Sequence, residues 1–114
     1  MTPEGKQRLK ALLDFSKDHQ QFIDDDITYF TDKLLAWLPC FGRLSENRQI
    51  ALIGICFNMG VQGFFNCKEA LAALEQDDYG PAAYHFLHES DRGKTLRAIK
   101  FSGIILADMW IGEL

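Results

Sequence analysis

Cysteine, positive charge and long apolar runs are all scarce in this sequence, and each shortage removes a class of protein. The three cysteines, Cys40, Cys56 and Cys67, form an odd set without a CxxC pair. Neither a disulfide framework nor a zinc knuckle is expected from them, and free thiols in a reducing compartment are. Twelve Lys and Arg stand against sixteen Asp and Glu, a net charge of −4, with no basic block. Nucleic-acid binders neutralise phosphates with clustered cations, so no nucleic-acid partner is expected. The same sign gives no steering toward an anionic wall or membrane. The longest apolar stretch, residues 103–111, is interrupted by Asp108 and too short to span a bilayer. Residues 1–10 are polar and helix-like rather than signal-like, so cytoplasmic synthesis without a signal peptide is the expectation.

Catalytic and cofactor signatures are missing as well. There is no GxSxG elbow, no phosphate loop and no dinucleotide fingerprint, and no cofactor is expected. The cysteines lie in apolar surroundings without a local histidine, and Cys56 reads as a small core hydrophobe.

What is present is an ordinary globular composition: 114 residues, 47% hydrophobic, 12% aromatic and 25% charged. A chain of this length buries roughly 65% of its unfolded surface, enough for one core, so residues 1–114 read as a single domain. No segment sustains the alternation of a strand, whereas apolar residues recur at helical spacing almost throughout. Thr2-Pro3-Glu4 starts a helix carrying Leu9, Leu12 and Leu13, ending near Phe15. Ser16-Lys17-Asp18 starts a second with Phe22, Ile23, Ile27, Phe30, Leu34 and Trp37, which Pro39 and Gly42 end. Ser45-Glu46-Asn47 opens a third, apolar on every side from Ile50 to Phe57 and stopped by Gly60 and Gly63, so residues 45–59 belong at the centre of the domain. A short helix over 67–75 ends at Gln76-Asp77-Asp78. Gly80-Pro81 starts a fifth with Ala82, Ala83, Phe86 and Leu87. The last, from about Lys94 to Trp110, offers Leu96, Ile99, Ile105, Leu106 and Met109 to the core. The expected fold is all-α: about six helices around a buried central one.

Two polar clusters invite chemistry. His85 and His88, three apart and close to Glu89, could present two imidazoles to one metal. No HExxH arrangement or third partner accompanies them, and the polar face of an amphipathic helix is the reading adopted, with no metal site expected. Asp24-Asp25-Asp26 point in different directions on a helix and read as a solvated face, with Asp26 nearest the apolar stripe.

The stretch from Arg48-Gln49 through Ala51-Leu52 to Phe57-Asn58-Met59-Gly60 resembles the central helix of phage-type lysozymes, the muramidases with which phages open the host wall. The segments that follow keep that family's order: Gly63-Phe64-Phe65-Asn66, Leu71-Ala72-Ala73-Leu74, Asp78-Tyr79 before Ala82-Ala83, and Ser90 before Arg97-Ala98. Upstream, Ser16-Lys17-Asp18 through Asp26-Ile27 is similar to the start of the family's interlobe helix, and Leu38-Pro39-Cys40-Phe41 to its following turn. The resemblance covers residues 16–110 and implies a lysozyme-like helical lobe of phage or prophage origin.

The family's small β-lobe, which carries its catalytic glutamate and an aspartate or cysteine with a threonine, has no counterpart between the first two helices. Glycoside hydrolysis needs a proton donor and a second group across the sugar. The only acids near the appropriate place are Glu4, in a faint Glu-Gly echo, and Asp14 at the end of the first helix. The resemblance also implies substrate-binding roles for Asn58, on the cleft side of the helical lobe, and for Arg97, which in the family lies beside the catalytic glutamate and is here left to pair with Asp14 or Glu4, face solvent or bind an anion. The reading that follows is a catalytically silent lysozyme-like protein that binds a protein partner or peptidoglycan. An active minimal muramidase using Asp14 or Glu4, and a structural module that forms a homo-oligomer, are the alternatives. Phe64, Phe65, Trp37 and Trp110 are the aromatics expected on the surface uncovered by the absent lobe.

Overall fold

A computed structural model describes the backbone of residues 2–13, 20–89 and 96–109 and the side chains of 2–11, 24–89 and 99–109. Among the described residues there are six α-helices: α1 (Pro3–Leu13), α2 (Gln20–Trp37), α3 (Glu46–Asn66), α4 (Lys68–Glu75), α5 (Tyr79–Glu89) and α6 (Leu96–Ala107), with a 3-10 turn at Phe41–Arg43. The all-α architecture expected from the sequence is what is observed. Helix α3 is the axle: α1, α2 and α6 all pack on it, and α5 joins α4 to α6. Its residues Ile50, Ala51, Leu52, Ile53, Gly54, Ile55 and Cys56 are buried, because a helix apolar on all faces is stable only when surrounded.

Helix starts follow the sequence. The Thr2 hydroxyl accepts the Gly5 N–H at 3.0 Å and donates to Glu46 at 2.6 Å, so the cap of α1 also ties it to the first turn of α3. Ser45 caps α3 by accepting the Arg48 N–H at 3.2 Å. The turn between α2 and α3 is held from a distance: the Cys40 N–H donates to the Glu75 carboxylate at 3.1 Å, and Arg43 donates to the Glu75 carbonyl at 3.0 Å and to Asp77 at 3.2 Å.

Two glycines act by different physics. A Cβ on Gly54 would stand 2.2 Å from the ring tip of Phe101, so this glycine lets α6 lie against α3. Gly60 has φ 78° and ψ 162°, a conformation open essentially to glycine alone, and breaks the helical run without ending it. Sequence reading stopped the central helix at Gly60 and Gly63. In the structure the chain resumes helical hydrogen bonding through Asn66, and Phe64 beyond the break is fully buried.

Helix α6 corrects the expected core face in part: Ile105 is buried as expected, and the side chain of Leu96 lies outside the described residues. Phe101, Ile104 and Ile105 are buried, while Ile99, Leu106 and Met109 are more than half exposed. The slot at Gly54 admits the Phe101 ring and thereby sets the rotation of α6; Ile99, two residues earlier, is turned about 200° away at 100° per residue. The C-terminal end of α6 is closed by Asp108, whose φ is 53° and whose N–H donates to the Ile104 carbonyl at 2.8 Å. Among the described residues no single helix is long and apolar enough to cross a membrane; α3 with α4 passes by length and composition only as a pair bent by 87°.

Candidate functional site

Two groups of side chains on the surface have the makings of a site. The first lies along α2, where Tyr29, Lys33 and Trp37 follow at four-residue spacing and so share one face. Tyr29 and Trp37 are 51% and 59% exposed, and the Lys33 ammonium stands 5.6 Å from the first ring centroid and 4.8 Å from the second. Neither ring is loose. Tyr29 meets Phe30 edge-on, which meets Phe57 of α3 at 4.9 Å. Trp37 rests on Phe65 at 5.6 Å, which leads through Phe64 into a stack on Phe86 of α5. The strip is thus an exposed aromatic edge anchored in the core, and such rigid rings lose little freedom when they bind.

The expected surface aromatics divide accordingly. Trp37 is exposed, Phe65 is half-buried beneath it, and Phe64 is a core residue, since the chain beyond Gly60 turns its ring onto Phe86. Trp110 lies outside the described residues. The helical spacing that places Lys33 midway between Tyr29 and Trp37 is the signal in the sequence for this strip.

The second group joins α4 to α5. The His85 Nδ1 lies 3.2 Å from a Glu69 carboxylate oxygen, and Glu89 brings a third donor so that all three ligating atoms fall within 4.8 Å of one another. His85 and Glu89 share a face of α5 at four-residue spacing, and Glu69 stands in the first turn of α4. His88 instead lies against Tyr84, with ring centroids 4.2 Å apart. The pairing of His85 with His88 considered from sequence is therefore replaced by a His–Glu–Glu group, and Glu69, sixteen residues upstream, had no local signal to reveal it.

The three thiols are buried and free. Burial, with the Glu75 carboxylate beside it, pushes Cys40 up to about 12. Burial and neighbouring Glu89 push Cys67 up to about 12, and burial raises Cys56 further. None is a ready nucleophile, in keeping with the reading of Cys56 as a core hydrophobe.

The residues carried over from the lysozyme resemblance are dispersed. Glu4 is exposed in the first turn of α1. Asn58 is exposed two residues before the Gly60 break, beyond Phe57 of the aromatic contact with α2. Arg97 lies on α6, with its side chain outside the described set, and Asp14 lies outside the described residues altogether. Of the acidic run, Asp24, Asp25 and Asp26 are all exposed. It is Asp24, not Asp26, that stands apart: it accepts a 2.8 Å ion pair from Lys10 of α1, which holds its carboxyl below the usual range. No strand is found among the described residues. Compared with protein families, with curated proteins and with solved structures, the chain matches none of them.

Proposed function

We propose that this chain is a lysozyme-like helical module of phage or prophage origin that binds rather than cleaves, engaging a protein partner or peptidoglycan through the aromatic strip of α2. The observation that carries this reading is the Tyr29–Lys33–Trp37 edge seated on Phe30 and Phe65. Tyr and Trp are the residues that dominate binding hot spots, since each brings a large flat area with few rotatable bonds. With the net charge of −4 giving no pull toward an anionic wall, a protein partner suits the strip better than the wall polymer.

Binding over hydrolysis is supported by the described acids. A glycosidase proton donor sits in an apolar pocket that raises its pKa. Every described carboxylate is exposed or half-buried, and Asp24 is shifted in the opposite direction by Lys10. The resemblance supplies the lysozyme-like element of the proposal, and the burial of Ala51 and Leu52 with an exposed Asn58 just before the Gly60 break is compatible with it.

The test is a peptidoglycan suspension incubated with purified protein, followed by turbidity, released reducing ends and pelleting. The expected outcome is no cleavage, with any pelleting, or any partner recovered from host extract, lost in Y29A/W37A. Clearing of the suspension that both D14N and E4Q abolish would overturn the proposal in favour of a minimal muramidase. Concentration-dependent self-association in sedimentation, lost in Y29A/W37A, would assign the strip to an oligomer interface instead.

A further inference from the structure

We propose that Glu69, His85 and Glu89 form a binding site for a divalent transition-metal ion, with zinc the best fit, that clamps α4 to α5. The geometry is close to a coordination shell before any ion is added. Zinc holds nitrogen and oxygen ligands at about 2.0–2.2 Å, so two ligands of a tetrahedron stand roughly 3.3–3.6 Å apart. The His85 Nδ1 and Glu69 oxygen are 3.2 Å apart, and the Glu89 oxygen lies within 4.8 Å of both, a distance that a small rotation about a surface glutamate side chain closes.

The surroundings also suit a cation. Two carboxylates beside an imidazole make a donor set that draws a cation. Glu89 stands in the last turn of α5, where the helix dipole favours positive charge. The imidazole sets the preference, because calcium and magnesium take all-oxygen shells whereas zinc, nickel and copper accept a mixed nitrogen and oxygen set. One side of the group is closed by the protein: Cys67, fully buried at the start of α4, neighbours Glu89. The other side is open, with Glu69 71% exposed, leaving room for water to complete the shell. Three ligands from two helices make the ion a cross-link that reinforces the His85–Glu69 contact between α4 and α5.

This inference is independent of the aromatic strip and is tested without any partner. The full-length chain, stripped with chelator, is titrated with ZnCl2 by calorimetry, and with CoCl2 for the visible absorption of four-coordinate cobalt. One ion per chain is expected, with a raised thermal midpoint. Removing an outer-shell partner of a metal ligand costs roughly 10–100-fold in affinity, so H85A, which removes a ligand itself, is expected to lose at least that much and the cobalt spectrum with it. E89Q and E69Q are expected to weaken binding at unchanged helical content, which guards against an unfolded variant. H88A is expected to bind as the parent does. Equal affinity in H85A and parent, or an equal loss in H88A, would overturn the site.

Discussion

The guanidinium of Arg48 lies over the ring of Tyr79, its central carbon 3.5 Å from the ring centroid. The same group donates through Nε to the Ile105 carbonyl at 2.8 Å and stands 3.6 Å from the Asp108 carboxylate, with 15% of the side chain exposed. One residue of α3 therefore holds the start of α5 and the end of α6 at once. A stacked ring and a charged donor to a carbonyl together are worth about 2–3 kcal/mol when partly buried. R48A is expected to lose that amount in urea unfolding. R48K keeps the charge but not the planar fork and is expected to recover less than half of it.

Gly54 and Gly60 separate steric from conformational cost. Alanine at 54 meets the fully buried Phe101 ring, and overpacking of this kind costs about 1–3 kcal/mol. The double variant G54A/F101L is expected to be more stable than the sum of its single variants, a positive coupling readable in a double-mutant cycle. At Gly60 a Cβ meets nothing within 4 Å, yet the backbone angles exclude side-chain-bearing residues, so G60A is expected to lose about 1–3 kcal/mol with no second substitution able to restore it. Equal rescue at both positions would contradict this division.

The thiols make stability fall on the alkaline side. Cys40 and Cys67 are held near 12 and Cys56 is raised as well, against about 8.5 in an unfolded chain. Their folded values exceed their unfolded ones. The neutral thiols therefore favour the fold fully below about pH 8.5, and that contribution declines as pH rises toward 12. The urea midpoint is expected to drop between pH 8 and 10, less steeply in C56A than in the parent. A thiol reagent at neutral pH is expected to label the native chain slowly and the unfolded chain at three sites.

The Lys10–Asp24 pair joins α1 to α2 on the surface, and its carboxylate is depressed chiefly by the hydrogen bond from Lys10. Asp24 is expected to titrate below the usual carboxylate range in a carboxyl-resolved NMR titration, and K10M is expected to move it back toward that range. Because the folded value is depressed, any stabilisation it gives is present above the unfolded pKa and disappears as pH falls through the folded one.

Much of the fold was legible because helices announce themselves through local spacing. The wholly apolar run from Ile50 to Phe57 identified the central helix, and Thr2, Ser45 and the polar run at Gln76-Asp77-Asp78 marked ends that the structure keeps. What spacing could not fix was rotation. Helix α6 offers apolar residues on more than one side, and only the slot at Gly54, forty-seven residues before Phe101, decides which side faces in. The sites divide in the same way. Tyr29, Lys33 and Trp37 share one helix and could be read together, whereas Glu69 meets His85 only because α4 and α5 fold back on each other.

Asp108 has a consequence for how the molecule breathes. It stops α6 in a left-handed turn, accepts the Ser45 hydroxyl, takes the Arg48 ion pair, and offers its carbonyl to Asn47 at 3.4 Å. Asp108 thereby joins the Arg48–Ile105 hydrogen bond in fastening the last turn of α6 to the first turn of α3, so fraying of one loosens the other. Amide hydrogens of the two turns are expected to exchange with deuterium at a common opening free energy, which D108A lowers in both turns, making these sequence-distant ends one unit of local unfolding.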